Sequence, residues 1–392
     1  MEKKIYKKKA IYQDHRIAEE FCNFRCDYCE GFCPSGYSLS TDKEGNLVVP
    51  DEWYRKMETY PEEVQKYFKD GRKMQNFYKI AYDVMEKTKE IIDADILKIS
   101  GGEVTTNVNL LEFVKKIHKS YPAVQILTNG LNLTEYEINE YKKLGNICFQ
   151  ISLDGVTGET NYARTHSEII TEKVLKNIDC ILKEGMGIEI NCVLTKYNTD
   201  KFGLFLERFK NADNFIVVPR PVRGEPKKIL TFSNEQIIQF KNLLYSNYDK
   251  YSKILPPMEY VKRLIKTMES GTRTTNCYVP FFVQSIDGYG NFEECPCGII
   301  SENTHNILNS TVAEDELLEN SKYTVKNNYD SCKYCMTQYE MINLYVDGKI
   351  TREELMKVPS LSINMIIDHI DEVIDKLIIT EIKKKLEDRY SL

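Results

Sequence analysis

The sequence predicts an α/β fold: an open, partial (β/α)6 barrel followed by a small C-terminal β-hairpin plus helix module. Three observations predict it. Short apolar runs alternate with longer helical patterns through the first 220 or so residues, the mark of βαβ units and a parallel sheet. Short polar motifs, several with glycine, close successive apolar runs, and in folds of this kind ligands gather at the carboxyl ends of strands. With 392 residues and 42% hydrophobic content, the chain can bury one large domain and a smaller one.

Candidate strands fall at residues 16–22, 96–100, 124–128, 147–152, 188–194 and 215–218. Helical patterns lie between them at 77–92, 109–119, 134–144, 168–184 and 201–209. The barrel is therefore assigned to 12–230, with 34–75 as an insertion that carries Trp53, Tyr54, Tyr60 and Tyr67 and is expected to be partly helical. Residues 231–274 read as a helical connection, 275–347 as the C-terminal module and 348–392 as a helical segment. In that last segment Ile366, Ile367, Ile370, Val373, Ile374 and Leu377 recur at helical spacing over 362–389, as expected of one amphipathic helix packed on the body.

The formal charge of −6 gives no support to a nucleic-acid footprint, and the basic start (Lys3-Lys4, Lys7-Lys8-Lys9) reads as a solvated terminus. No long apolar stretch suggests a membrane span, and no apolar h-region a secretory signal. Twelve cysteines without a signal fit a reducing cytoplasm, where thiolates remain available to metal.

Three of those cysteines, Cys22, Cys26 and Cys29, form a C-x3-C-x2-C loop just after the first expected strand. Three thiolates this close can wrap one corner of a [4Fe–4S] cluster and leave one iron open. A zinc site or a plain four-cysteine cluster would need a fourth ligand, for which Cys33 is the candidate. Cys33 otherwise reads as a loop cysteine. A disulfide framework does not suit a long chain whose cysteines fall in tight groups. Further motifs follow at the ends of later strands: Ser100-Gly101-Gly102-Glu103, Thr128-Asn129-Gly130, and Ser152-Leu153-Asp154-Gly155 with Arg164 ten positions after Asp154. The paired glycines permit close approach by a ligand, and Glu103 is an anionic acceptor for an ammonium group. Ser152 and Asp154 can hydrogen-bond hydroxyls.

The cysteine loop and these motifs, in this order, resemble the radical S-adenosylmethionine (radical SAM) superfamily. The resemblance implies that the open iron chelates the methionine end of S-adenosylmethionine, whose reductive cleavage yields a 5′-deoxyadenosyl radical. It also implies cofactor contacts at Gly101, Gly102 and Glu103 for the amino group, Arg164 for the carboxylate, Ser152 and Asp154 around adenosine, and Asn129 nearby. Tyr28 matches the aromatic position that packs on adenine, and backbone near Leu194 is expected beside it. Val104-Thr105-Thr106 follows the glutamate where family members often have Pro-Leu. The S-L-D-G run with its arginine is similar to anaerobic sulfatase-maturating and other peptide-modifying members.

A second cysteine group comprises Cys277, Cys295, Cys332 and Cys335, with Cys297 as a spare. Residues 281–295 read as a β-hairpin turning at Asp287-Gly288-Tyr289-Gly290, and Cys332-Lys333-Tyr334-Cys335 adds a C-x2-C pair. Four thiolates can close one site, with a zinc ribbon as the alternative to Fe–S. The arrangement resembles the Twitch domain, the single-cluster relative of SPASM, and implies one auxiliary [4Fe–4S] cluster. Cys148, Cys180 and Cys192 read as buried apolar residues.

The resemblance implies a cytoplasmic enzyme served by a reductase, flavodoxin or ferredoxin as electron donor. Its substrate is expected to be a peptide side chain or a small molecule such as a carbohydrate. The S-L-D-G and arginine run favours a peptide. The auxiliary spacing favours a small molecule, as does a barrel that starts almost at once and leaves no room for a leader-peptide domain. A non-enzymatic Fe–S carrier or sensor is the third reading, and it has no need of Glu103 or Arg164. Arg220 and Arg223 can meet an anionic group or simply lie on the surface. No general base stands out.

Overall fold

The computed structural model describes residues 8–17, 22–29, 40–41, 47–48, 77–106, 110–224, 227–273, 275, 277–288, 290–293, 306–308 and 334–374. Its strands are β1 (Lys8–Arg16), β2 (Ser40–Thr41), β3 (Leu47–Val48), β4 (Ile92–Ser100), β5 (Ala123–Thr128), β6 (Ile147–Ser152), β7 (Ile188–Leu194), β8 (Phe215–Pro221), β9 (Val283–Asp287) and β10 (Phe292–Glu293). All but β2 and β3, which pair with each other, form one sheet in the order β10-β9-β1-β4-β5-β6-β7-β8. Strands β9 to β8 of that order are parallel, and β10 alone returns antiparallel to β9. The sheet is the curled half-barrel of an α/β fold, as expected. The C-terminal hairpin does not stand apart: β9 pairs with β1 and widens the same sheet.

Helices at Phe77–Ile91, Leu110–Ile117, Glu135–Leu144, Glu168–Lys183 and Phe202–Phe209 connect the strands. Their ends follow local chemistry. Thr134 and Glu137 form a reciprocal capping box, and Gly145 ends that helix at φ 81°, a left-handed geometry suited to glycine. Ser167 caps the next long helix by accepting from the Ile170 N–H. Helices Asn234–Tyr251 and Met258–Ser270 occupy the stretch after the barrel.

Register explains both faces of the sheet. One row, Ile99–Ile126–Phe149–Ile188–Phe215, crosses five strands and is buried under the helices. The adjacent row, Asp14–Lys98–Gln125, turns the other way, because successive residues of a strand face opposite sides. Lys98 Nζ lies 3.6 Å from Asp14 Oδ2. Tyr339, from the C-terminal part of the chain, enters this lumen, where its hydroxyl donates to Asp14 Oδ2 (3.1 Å) and receives from Lys98 (3.2 Å). Ser360 closes the barrel near the strands' amino ends: its N–H meets Glu189 Oε1 at 2.9 Å and its hydroxyl lies 2.9 Å from the Tyr12 hydroxyl.

Two expectations are corrected. The first strand is Lys8–Arg16, not 16–22, so Lys8 and Lys9 open the sheet instead of a solvated terminus, and Lys9 pairs with Asp93. The run Gln13-Asp14-His15-Arg16 hid it, because its inward residues serve a polar lumen. Within 362–374 there is no single amphipathic helix. The chain forms short turns at Pro359–Ser362, Ile363–His369 and Ile370–Val373, with Asn364 at φ 46°. The apolar face survives, since Ile366, Ile367, Ile370 and Ile374 are buried. Leu377 and the expected helix within the insertion lie outside the described residues. Cys148 and Cys192 are buried as expected, and Cys180 is half-buried. Among the described residues no helix is long and apolar enough to cross a membrane.

His15 is the polar member of the apolar row, in register with Ile99 and 1% exposed. Burial lowers its pKa to about 4. The folded state therefore holds His15 neutral, while the unfolded chain takes up a proton near the ordinary value of about 6.5. Its contribution is present above that value and is lost as pH falls toward 4. Between pH 6.5 and 5 the loss is about 2 kcal/mol at 1.36 kcal/mol per pH unit. His15→Leu is expected to flatten this part of the urea-unfolding profile of the metal-free chain. An unchanged slope between pH 6.5 and 5 would show that other groups set it.

Candidate functional site

The site lies where β4, β5, β6 and β7 end, facing the cysteine loop that follows β1. Cys22 and Cys26 are half-buried and Cys29 is exposed. The Cys29 N–H closes a tight turn on the Cys26 carbonyl (3.0 Å), and the Phe24 N–H points at Cys22 Sγ (3.4 Å). Burial pushes the Cys26 thiol up to about 12, opposed by the Arg164 cation and reinforced by Asp154, Cys29 and Cys22. The three cysteines are thus electrostatic neighbours. Among the described residues no three Cys, His, Asp or Glu side chains are gathered into a preformed metal cage. Three thiols from one loop suit a thiolate-bound cluster, and binding would displace their protons.

The loop is tied to the strand ends at several points. Asn129 Nδ2 donates to Asn23 Oδ1 (2.7 Å), beside Cys22. The Asp27 N–H donates to the Ala163 carbonyl (2.8 Å), and Asp27 Oδ1 lies 2.8 Å from His166 Nε2. The Tyr28 hydroxyl donates to Asp154 Oδ2. Burial holds the Tyr28 phenol well above its ordinary pKa, so it remains a donor.

Asp154 gathers more than the cysteine loop. Its Oδ1 accepts from Arg164 Nη2 (2.9 Å) and from the Val193 N–H on β7 (2.8 Å). Its backbone N–H donates to Asn161 Oδ1 (3.0 Å), and its carbonyl accepts from Asn198 Nδ2 (2.8 Å). The Arg164 guanidinium lies 5.4 Å from the Tyr28 ring centroid. Asp154 was expected beside adenosine hydroxyls; here both carboxylate oxygens carry protein partners. Arg164 is in neither a surface pair nor an empty pocket. It is 6% exposed and bound to Asp154, while its buried Nε–H has no partner among the described residues. That unspent donor suits an anionic group.

Glu103 is 1% exposed, and burial raises its pKa against the pull of its donors. Its Oε1 accepts from Thr105 N (2.9 Å), Thr105 Oγ1 (2.6 Å) and Thr128 Oγ1 (2.6 Å). Its Oε2 accepts from the Asn129 N–H (2.6 Å). Oε2 thus retains capacity for one more donor, such as an ammonium. Gly101 adopts φ 150°, which an L side chain rarely tolerates, and Gly102 precedes Glu103 in the same bend. At Gly155 a Cβ would lie 2.2 Å from Thr160 Oγ1, so that glycine serves close packing. Ser152 is half-buried at the end of β6. Leu194 is fully buried, and its carbonyl accepts from the Val222 N–H (3.0 Å).

Thr105, Thr128, Asn161, Val193 and Asn198 were missed in the sequence. Thr128 sits inside the Thr-Asn-Gly motif and was within reach. The others act through backbone or over long range and carry no motif. In the second cysteine group, Cys277 and Cys335 are both half-buried. Cys295, Cys332, Cys33 and Cys297 lie outside the described residues.

Residues 19–208 match the model of the Radical SAM superfamily. The chain is 29% identical over 178 residues to a GTP 3′,8-cyclase of Sulfurovum sp., covering 45% of this chain and 44% of that protein. It is 25% identical over 234 residues to the sporulation killing factor maturation protein SkfB of Bacillus subtilis, covering 56% and 54%. The chain thus spans about half the length of these curated relatives. The crystal structure of Streptococcus suis SuiB bound to its precursor peptide SuiA aligns with a TM-score of 0.53 at 12% identity, over 83% of this chain and 71% of that one. At that identity the likeness speaks to the fold.

Asp154→Asn should leave a buried arginine without its counter-charge. Breaking a buried pair from one side costs about 3–5 kcal/mol. Removing the exposed Lys201–Glu159 pair should cost under about 1 kcal/mol. Chemical denaturation of the two variants compares them directly. Equal, small losses would mean that Asp154 does not hold this end of the barrel together.

Proposed function

We propose that residues 19–208, which match the Radical SAM superfamily model, form a radical SAM domain in which Cys22, Cys26 and Cys29 hold a [4Fe–4S] cluster while Glu103 and Arg164 hold the methionine end of S-adenosylmethionine. The observation that carries this assignment is the placement of two buried, oppositely charged groups with unspent hydrogen-bonding capacity around the tethered cysteine loop. A cluster held there would supply one-electron reductive chemistry toward S-adenosylmethionine seated by Glu103 and Arg164. The chain's part is to bind, orient and shield. Gly101 and Gly102 let the ligand approach the backbone, and Asn129 orders the loop through Asn23. Tyr28, Ser152, Asp154 and Leu194 form the adenosine side, with Asp154 acting through Tyr28 and Arg164. An electron carrier or sensor would gain nothing from Glu103 and Arg164.

We assign the substrate to a peptide or protein side chain. SkfB is named for maturation of a killing factor, and SuiB was crystallised with a precursor peptide. The S-L-D-G run with Arg164 supports the same reading. A small-molecule substrate is the second reading, favoured by the likeness to GTP 3′,8-cyclase. We assign Cys277, Cys295, Cys332 and Cys335 to an auxiliary [4Fe–4S] cluster of Twitch type, which would serve as an electron acceptor or a substrate-binding group. A ferredoxin, flavodoxin or reductase in the cytoplasm is the expected electron source.

Anaerobically reconstituted protein is expected to hold about eight irons, four for each cluster. About four irons, with zinc in the second group, would remove the auxiliary cluster. Cys26→Ala should retain about four irons and make no 5′-deoxyadenosine under dithionite. Undiminished cofactor cleavage in that variant would overturn the assignment of the first group. For the substrate, mass spectrometry of a short peptide encoded beside this chain's gene should show a change only with enzyme and S-adenosylmethionine together. An unaltered peptide, with turnover of a nucleotide or sugar instead, would favour the second reading.

A further inference from the structure

Among the described residues outside the barrel mouth, a dense group of buried charges lies around Glu340. This carboxylate is 1% exposed and accepts from Arg263 Nη1 (2.7 Å), Arg273 Nη2 (2.6 Å) and Asn343 Nδ2 (2.9 Å). The Arg273 and Arg263 side chains are 5% and 12% exposed. Neither motif nor family resemblance draws attention to any of the four residues. What they hold does. Arg273 Nη1 donates to the carbonyl of Cys335 at 3.2 Å. Asn343 Oδ1 accepts from the N–H of Tyr278 at 2.9 Å, so the backbone next to Cys277 hangs on the same network. Arg263 Nη2 and the Tyr278 hydroxyl both bond Asp347, at 2.6 and 2.9 Å, which closes the ring of contacts. Two cysteines 58 positions apart in the chain (277 and 335) are thus fixed through one carboxylate.

We infer that the Glu340 network is the seat of the second cysteine site, and that Arg273 is the positioning residue that sets its electron affinity. This rests on the auxiliary-cluster reading above. The physical reasons are two. A site whose thiolates come from distant segments needs those segments ordered before metal arrives, and partners outside the ligands set ligand orientation. Arg273 is also a permanent cation joined to a ligand residue's carbonyl in a low-exposure setting, and nearby charge and hydrogen bonding tune Fe–S potentials. Arg263 is shared between Glu340 and Asp347, whereas Arg273 bridges Glu340 and the cysteine loop. The two arginines therefore have separable effects.

The test uses the full chain, anaerobically reconstituted, with potentials read by EPR-monitored redox titration. Arg273→Gln is expected to shift the midpoint potential of the second cluster to more negative values, since removing a cation disfavours the added electron. The first cluster's signal should not move. Arg273→Lys, which keeps the charge and loses the planar fork, should restore most of the shift. Glu340→Gln should lose the second cluster and about half of the iron, four of eight. If Arg273→Gln holds both clusters and neither potential moves, the inference is overturned. If Arg273→Lys shifts as far as Arg273→Gln, charge is not the agent and the tuning role is overturned. A wild-type protein with only the first cluster would overturn the auxiliary-cluster reading itself, a failure visible before any variant is made.

Discussion

The carboxylate of Asp154 is the interaction on which the site depends. Parallel strands end side by side, and their last carbonyls and loops must be organised without the hairpin turns available to antiparallel sheets. Here one buried anion does much of that work. It takes a guanidinium from the following helix, a phenol from the cysteine loop and a backbone N–H from the neighbouring strand. An anion at 2% exposure is stable only when paired and hydrogen-bonded, and this one is both. The arrangement couples the two halves of the site. Tyr28 cannot leave Asp154 without moving the loop that carries Cys26 and Cys29, and Arg164 cannot leave without exposing the anion.

The same reasoning applies to the barrel's interior. A half-barrel whose inward row is Asp14, Lys98 and Gln125 cannot close like an apolar core. It needs polar groups from elsewhere, and the C-terminal part of the chain brings them. Tyr339 completes the Asp14–Lys98 pair, and Ser360 meets Glu189 and Tyr12. Ser100 Oγ also donates to Asp14 (2.7 Å), which links the lumen to the glycine pair that follows it. On the other face, Ile99, Ile126, Phe149, Ile188 and Phe215 lie in one buried apolar row beneath the helices.

What could be read from the sequence follows this division. Strands β6 and β7 have the bounds their apolar runs suggest, since both faces of each are largely buried. Strand β1 was misplaced because the run Gln13-Asp14-His15-Arg16 looks like a loop: Asp14 and Arg16 face a polar lumen, while Gln13 and His15 are polar residues buried on the other face. The C-terminal isoleucines announced burial correctly. Their periodicity did not reveal that Pro359 and the left-handed Asn364 break the chain into short turns. In the site, the motifs at strand ends were legible because glycine and acid residues have local meanings. The double duty of Asp154 was not, because its partners at 28, 164 and 193 come from three elements. Glu340, Arg263 and Arg273 were wholly hidden, being ordinary surface-type residues until folding brings them together.

The two cysteine groups are therefore held by opposite strategies that meet in one segment. The first sits on a single loop, fastened from outside by side chains and backbone of the strand ends. Of the second, the described members Cys277 and Cys335 lie on distant segments whose backbone is tied to buried charge. Tyr339 and Glu340 are consecutive, yet one points into the barrel lumen and the other into the arginine network. A rotation of this short helix start would disturb both at once: the phenol would leave Asp14 and Lys98, and the carboxylate would abandon two arginines. Each displacement leaves buried charge without partners, at a cost of several kcal/mol by the usual scale of such pairs. The segment that carries Cys335 is thereby locked to the barrel through Tyr339 and Glu340.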